Sequence, residues 1–210
     1  MPFVLFGLAV AWAVMLLFGG LDLDRALLVF FHAGDKPELA GPMRVLTELG
    51  GYRVLMPLSA AGALWLAWQR RFRAAVLLLA VTISGRLLAE FQKAQAERIR
   101  PSELDHLVDV HSLSFPSAHA ANSTMVYLSL ALLLTTTYPR RAFALWAAAW
   151  LAIAIGASRV VLGVHWPSDV IAGWAFGLFW TLLLFRLAGQ DISDGTPRPL
   201  RHSSPEGEKK

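Results

Sequence analysis

Six runs of apolar residues, separated by short polar segments, dominate the hydrophobicity pattern of the chain. They cover residues 3–20, 52–68, 74–91, 121–137, 142–157 and 167–187. A helix needs about 20 apolar residues to cross a hydrocarbon core, so each run is near the length of one span. The first run lacks a preceding basic segment and a small-residue cleavage site, which favours a retained span over a signal peptide. The pattern predicts an all-α integral membrane bundle of six transmembrane helices over residues 1–189.

Two of the polar segments have patterns of their own. Residues 21–32 alternate Asp22, Asp24 and Arg25 with apolar residues, which predicts an amphipathic helix lying in the membrane interface after the first span. The last segment, residues 190–210, is rich in Pro, Ser, Gly and charge, which is typical of a disordered tail.

The basic residues predict the orientation of the bundle. Arg and Lys cluster in residues 69–73, in residues 139–141 and in the tail. By the positive-inside rule these segments are cytoplasmic, so both termini are predicted inside. Residues 92–120 and 158–166 then face outside together.

Composition narrows the function classes. With 56% hydrophobic residues in 210 positions, six spans leave no room for a separate soluble catalytic domain. The net charge of +4 comes from short clusters rather than a basic stripe, which argues against a nucleic-acid partner. Because the chain has no cysteine, disulfides and thiolate metal sites are excluded.

The outer segments carry three groups of polar residues, of which the first is Lys93-x6-Arg100-Pro101. Seven residues are about two helical turns, so both cations would lie on one face about 10 Å apart if the helix persists. A phosphate ester needs such cations around its oxygens. Cations that extend to water, or that pair with Glu90 and Glu97, are the alternative.

The second group is Ser114-Phe115-Pro116-Ser117-Ala118-His119, directly before the fourth run. Pro116 with Ser117 marks a helix start whose free backbone N–H groups can hold an anion. His119 would then lie beside that anion and could donate a proton. A plain N-cap with an interfacial histidine is the alternative.

The third group is Ser158-Arg159-x5-His165-x3-Asp169. Asp169 lies one helical turn beyond His165, close enough to accept its ring N–H. A carboxylate there fixes the tautomer and leaves the other ring nitrogen free as a nucleophile. A purely structural His–Asp hydrogen bond is the alternative.

In this order, the three groups resemble the signature of the type-2 phosphatidic acid phosphatase superfamily. The six-span layout and the stretch at residues 46–50 also resemble bacterial membrane members, so the resemblance covers about residues 1–187. One departure is Ala118, where the family usually has glycine. Alanine still supplies a backbone N–H unless the position requires a left-handed conformation.

The resemblance implies roles for eight residues. His165 would attack phosphorus to give a phosphohistidine, Asp169 would hold its ring, and His119 would protonate the leaving oxygen and then activate water. The residues that would bind the phosphoryl oxygens are Lys93, Arg100, Ser117, Ala118 and Arg159. Because these groups supply the positive charge, neither a metal nor another cofactor is expected.

The resemblance also implies a substrate class and a location. The partner would be a phosphorylated lipid such as undecaprenyl pyrophosphate, phosphatidylglycerol phosphate or phosphatidate. The protein would lie in a bacterial inner membrane with its active site facing the periplasm or exterior. A lipid phosphotransferase with the same site, and a non-catalytic six-span lipid-binding or transport protein, are the alternatives.

Two other sets of residues are assigned weaker roles. Arg86 is predicted to form a buried ion pair with Glu90 in the third span, with a substrate contact as the alternative. The outer loop at residues 101–113 contains possible divalent-cation ligands, although a polar loop near the site explains them as well. These ligands are Asp105, His106, Asp109 and His111.

Overall fold

A computed structural model of the protein describes residues 1–19, 21–34 and 36–190, so the predicted tail lies outside the described residues except for Gln190. The described residues form eight α-helices. They are α1 (Pro2–Phe18), α2 (Asp22–Phe31), α3 (Pro37–Glu48), α4 (Tyr52–Trp68), α5 (Phe72–Ala96), α6 (Ala118–Leu134), α7 (Tyr138–Val161) and α8 (Pro167–Leu187).

Most of each apolar run lies in one helix, namely α1, α4, α5, α6, α7 or α8, and α6 ends at Leu134, before the end of the fourth run. The amphipathic segment after the first run forms α2. The short helix α3 was not predicted, because Pro37, Gly41 and Pro42 interrupt any apolar periodicity there. Pro37 fits the first turn of α3, where a missing N–H costs nothing.

Helix length and apolarity identify the chain as a helical membrane protein. Among the described residues, α5, α7 and α8 are each long and apolar enough to cross a bilayer. If Pro2–Leu17 and Asp22–Phe31 together form one bent span, the number of such spans is four. Helices α1, α4 and α6 have 17 residues each, which is about 25 Å of helix. The count of six spans therefore stays a prediction.

Helix α6 lies at the centre of the bundle, where it packs against α5, α7 and α8. Two glycines of α8 allow the closest of these approaches. A Cβ atom at Gly173 would lie 2.6 Å from the Ser117 carbonyl oxygen, and one at Gly177 would lie 2.6 Å from that of Ala121. The Ser117 N–H also donates to the Asp169 carbonyl at 2.9 Å. This packing holds the first turns of α6 and α8 side by side.

Candidate active site

The eight residues predicted from the sequence come together at one cavity of about 320 Å³. Six of them line it: Lys93, Arg100, Ala118, His119, Arg159 and His165. The other two, Ser117 and Asp169, are fully buried. The hydrogen bond between their backbones fixes them at the adjoining starts of α6 and α8.

His165 lies in the short turn between α7 and α8. The turn passes through Gly163, whose φ of +75° favours glycine, and ends where Pro167 begins α8. The Nδ1 atom of His165 lies 3.4 Å from Oδ2 of Asp169 and 3.3 Å from Oγ of Ser114. Since the ring also lines the cavity, Nε2 is the nitrogen left for a substrate.

Asp169 is held by a set of contacts that the sequence analysis did not identify. Nη1 of Arg98 forms an ion pair with Oδ1 at 2.8 Å. Ser114 donates its hydroxyl to Oδ2, and the Trp166 N–H donates to the same oxygen at 3.0 Å. These three donors stabilise a buried carboxylate and orient it toward His165.

Arg98 lies beyond the end of α5, where its side chain reaches the buried Asp169. The helix stops at Ala96, and Glu97 adopts a left-handed conformation with φ of 47°. The helix does not persist to Arg100, so the condition under which Lys93 and Arg100 would share one helix face is not met. Both cations still reach the cavity, because each is anchored to the segment before α6.

Carbonyl groups of that segment position the two cations. Lys93 Nζ donates to the Leu113 carbonyl at 2.6 Å, and Arg100 Nε donates to the Ser112 carbonyl at 2.6 Å. Arg100 also donates to the carbonyl of Val164, directly before His165. The loop around the nucleophile candidate and the cationic groups are thus fixed relative to each other.

Arg159, in the last turn of α7, is buried and contacts α3, the helix that was not predicted from the sequence. Its Nη1 donates to Oγ1 of Thr47 at 2.8 Å. Its Nε and the Ser117 hydroxyl have no hydrogen-bond partner among the described residues. Buried donors without partners are costly, and Arg159 lines the cavity, so an anion there would satisfy its Nε.

The start of α6 retains its backbone donors despite the alanine. Among the described residues, only Arg70 and Glu97 combine a side chain with a positive φ, so Ala118 has an ordinary conformation. His119 packs against two glycines, since a Cβ atom at Gly50 would lie 3.2 Å from its ring. The stretch at residues 46–50 therefore supplies both a partner for Arg159 and space for His119.

The electrostatic environment keeps the nucleophile candidate uncharged. Burial, together with the nearby Arg100, Lys93 and Arg159, holds the pKa of His165 well below its ordinary value. Burial lowers the pKa of Arg100 to about 10, which still leaves it protonated at neutral pH. The site is a neutral imidazole within a cage of cations, which is suited to attack on a phosphoryl group.

The loop at residues 101–113 does not assemble a metal site in the described part of the chain. Asp105, His106, Asp109 and His111 do not form a group with metal-ligand geometry. His106 instead contacts the Pro101 carbonyl, at 2.7 Å. Asp109 and His111 lie at the rim of the cavity.

Comparison with known proteins gives consistent matches. The family model of the PAP2 superfamily matches residues 74–192. Phosphatidylglycerophosphatase B of Bacillus subtilis is 34% identical over 160 residues, which cover 74% of this chain and 77% of the relative. The undecaprenyl-diphosphatase of Sulfolobus acidocaldarius is 30% identical, and the match covers 69% of this chain and 68% of that relative. The lipid A 1-phosphatase of Rhizobium johnstonii is 39% identical over 63% of this chain, and the match spans about half of that relative (54%).

A solved structure extends the similarity to the fold. The crystal structure of the first transmembrane PAP2 type phosphatidylglycerolphosphate phosphatase, from Bacillus subtilis, superposes with a TM-score of 0.80. The two chains are 28% identical, and the match covers 87% of this chain and 94% of that one. The similarity in fold therefore extends over most of the chain.

Proposed function

Because the chain belongs to the PAP2 superfamily, we propose that it is a membrane phosphatase acting on a lipid-linked phosphate or pyrophosphate through a phosphohistidine. One observation carries the proposal. A neutral, buried His165, held by Asp169, lines a cavity that it shares with three cations. Those cations are Lys93, Arg100 and Arg159.

In the proposed reaction the cations bind the non-bridging phosphoryl oxygens, together with Ser117 and the Ala118 N–H. Nε2 of His165 attacks phosphorus, and the bond from phosphorus to the lipid oxygen breaks as the new N–P bond forms. His119, protonated when the negative charge of the bound substrate lies beside it, gives its proton to the leaving oxygen and then takes one from the attacking water. The water oxygen bonds to phosphorus, the N–P bond breaks, and phosphate leaves. Positive charge around the equatorial oxygens stabilises both transition states without a metal ion.

The proposed topology has six spans, α1 and α4 to α8, in a bacterial inner membrane with the site facing outward. Basic residues between α4 and α5, and the exposed Arg140 in the first turn of α7, support a cytoplasmic location for these helix ends. Arg141 is a weaker signal than the sequence suggested. It is buried and donates to the Thr135 carbonyl at 2.9 Å, at the end of α6.

The absence of cysteine from the sequence makes sidedness directly testable. Ser102→Cys, between α5 and α6, and Arg140→Cys, in the first turn of α7, place single thiols at exposed positions predicted on opposite sides of the membrane. A membrane-impermeant maleimide should label Ser102→Cys in intact spheroplasts and Arg140→Cys only after permeabilisation. The reverse labelling would overturn the proposed orientation.

Phosphate release from the purified protein in detergent, with EDTA present, tests the activity. The panel contains phosphatidate, phosphatidylglycerol phosphate and undecaprenyl pyrophosphate. His165→Asn should lower turnover by about a thousandfold or more, since the nucleophile is lost. His106→Asn, an exposed histidine outside the cavity, is the matched control and should retain turnover.

Two results would overturn parts of the proposal. Unchanged phosphate release by His165→Asn would show that His165 is not the nucleophile and that the cavity is a non-catalytic site. Transfer of labelled phosphate to a second lipid, instead of release into water, would identify a phosphotransferase with the same chemistry.

A further inference from the structure

Arg86 does not form the ion pair predicted for it. Glu90 is exposed, and the two side chains make no ion pair within the described part of the chain. The Arg86 guanidinium instead lies over the Tyr52 ring, 5.3 Å from its centroid. Such a contact holds the cation in position but leaves its charge uncompensated. The half-buried Arg86 is therefore a cation within a membrane helix that lacks an anionic partner among the described residues.

Arg86 lines the same cavity as His165. It lies seven residues before Lys93 in α5, which is about 10 Å along the helix toward the middle of the bilayer in the proposed topology. It also lines a small adjoining cleft, which continues away from the cage between α4, α5 and α6. Arg86 thus marks the deep end of the site, opposite the cations that surround His165.

Asn122, one helical turn after Ala118 in α6, lies at the same deep end. Its side chain lines both the main cavity and the small cleft. It is only 9% exposed, and its Oδ1 atom has no hydrogen-bond partner among the described residues. An anion here would accept from Nδ2 of this amide and from the Arg86 guanidinium, which has no anionic partner among the described residues, whereas Oδ1 is an acceptor and would need a donor on the ligand.

The charge along the cavity favours an anion at this position. Five cationic side chains line it: Lys93, Arg100 and Arg159 around His165, the half-buried Arg86, and Arg53, which is exposed. Three carboxylates also line it, on Glu48, Glu90 and Asp109, but all three are exposed. Solvent screens those carboxylates more strongly than it screens a half-buried guanidinium. A charged residue at this membrane depth is costly unless it has a function.

We propose that Arg86, with Asn122, binds a second phosphate of the substrate, one that is not cleaved and stays on the lipid. This inference rests on the proposed function, since the position follows from a scissile phosphate bound at His165. The lipid tail must then extend toward the membrane interior, so a phosphate between the tail and the scissile group lies on the Arg86 side. The substrate class is a lipid with two phosphates in series, either as a diphosphate or separated by a short linker.

Two matched pairs of lipids test the assignment. One pair is phosphatidylglycerol phosphate and phosphatidate, and the other is a polyprenyl diphosphate and the corresponding monophosphate. Arg86→Gln should lower kcat/KM for the two-phosphate lipid of at least one pair about 10- to 100-fold more than for its one-phosphate partner. The loss should lie mainly in KM, because the contact is with a group that does not react. The pair that responds identifies the spacing of the phosphates.

Arg73→Gln is the matched control, since it makes the same charge change on the same helix at an exposed position outside the cavity. For each pair, it should leave unchanged the ratio of kcat/KM for the two-phosphate lipid to kcat/KM for the one-phosphate lipid. If Arg86→Gln does not fold, Arg86→Lys is tested in its place. Lysine keeps the charge but loses the planar set of guanidinium N–H donors, so it should lower kcat/KM for the two-phosphate lipid relative to its one-phosphate partner as well.

Equal losses on both members of each pair, or no loss on either, would overturn the inference. Those results remain distinct from failure of the proposed function. If the function is wrong, wild-type protein releases no phosphate from any of the four lipids and His165→Asn makes no difference. If only this inference is wrong, hydrolysis depends on His165 but the ratios do not depend on Arg86.

Discussion

Replacing Arg98 by Gln should lower activity, although Arg98 is not one of the three cations, Lys93, Arg100 and Arg159, that surround His165. Arg98 pairs with the fully buried Asp169 at 2.8 Å and does not line the cavity. Its Nη2 also donates to the carbonyls of Met15 and Leu16, at 2.9 and 2.6 Å, at the end of α1. Removing the guanidinium leaves a buried carboxylate undercompensated and loosens the attachment of α1.

The contacts set the size of the effect. Removing one partner of a buried ion pair costs about 3–5 kcal/mol of folding free energy. Ser114 and the Trp166 N–H still donate to Asp169, so we expect the lower end, about 3 kcal/mol. Because Asp169 orients His165, we also expect kcat to fall by about 100-fold, less than the loss of the carboxylate itself would cause.

A double-mutant cycle separates the ion pair from the contacts with α1. The free energy of unfolding in mixed detergent micelles and kcat are measured for Arg98→Gln, Asp169→Asn and the double variant. Arg98→Gln should cost much less when Asp169 is already Asn, since no buried charge is then stranded. Arg25→Gln, which breaks the exposed pair with Glu103, is the control and should cost no more than about 1 kcal/mol. Strictly additive effects, or an Arg98→Gln variant as stable and active as wild type, would refute the reasoning.

Three further variants or measurements test other parts of the structure. Gly173→Ala puts a Cβ atom 2.6 Å from a carbonyl oxygen and should lower the free energy of unfolding by about 1–3 kcal/mol, whereas Gly7→Ala, which meets nothing within 4 Å, should not. Thr47→Val removes the hydroxyl that accepts from Arg159 and should lower kcat/KM about 10-fold, with Thr47→Ser restoring it. The lowered pKa of His165 predicts that its ¹⁵N resonances do not titrate near pH 6.5, where a free imidazole does. Because the unfolded chain would bind that proton, stability should fall as the pH drops below about 6.5, and a normal titration of His165 would contradict this.

Much of the helical layout could be predicted because long apolar runs have few other stable forms in a membrane. Helix α3 could not, since Pro37, Gly41 and Pro42 weaken its pattern and it is held by contacts with α7 instead. The end of α5 was also missed. It depends on the left-handed conformation of Glu97, which has no local sequence signal comparable to a glycine.

The site shows the same division between local and distant information. The spacing of His165 and Asp169 within one helical turn could be interpreted from the sequence alone. The ion pair of Asp169 with Arg98 could not, because 71 residues separate them and only the packed bundle brings them together. The prediction for Arg86 failed for a related reason. Spacing at i and i+4 favours a pair with Glu90, but the Tyr52 ring from another helix supplies a competing contact.

The most direct measurement is to trap the phosphoryl group on the protein. Purified enzyme is mixed with a lipid substrate labelled in its terminal phosphate, quenched in alkali within one turnover, and digested for mass spectrometry. The proposed reaction predicts a base-stable phosphate on the His165 peptide, absent from His165→Asn. Phosphate release at the normal rate without label on the wild-type protein, or equal labelling of His165→Asn, would contradict it.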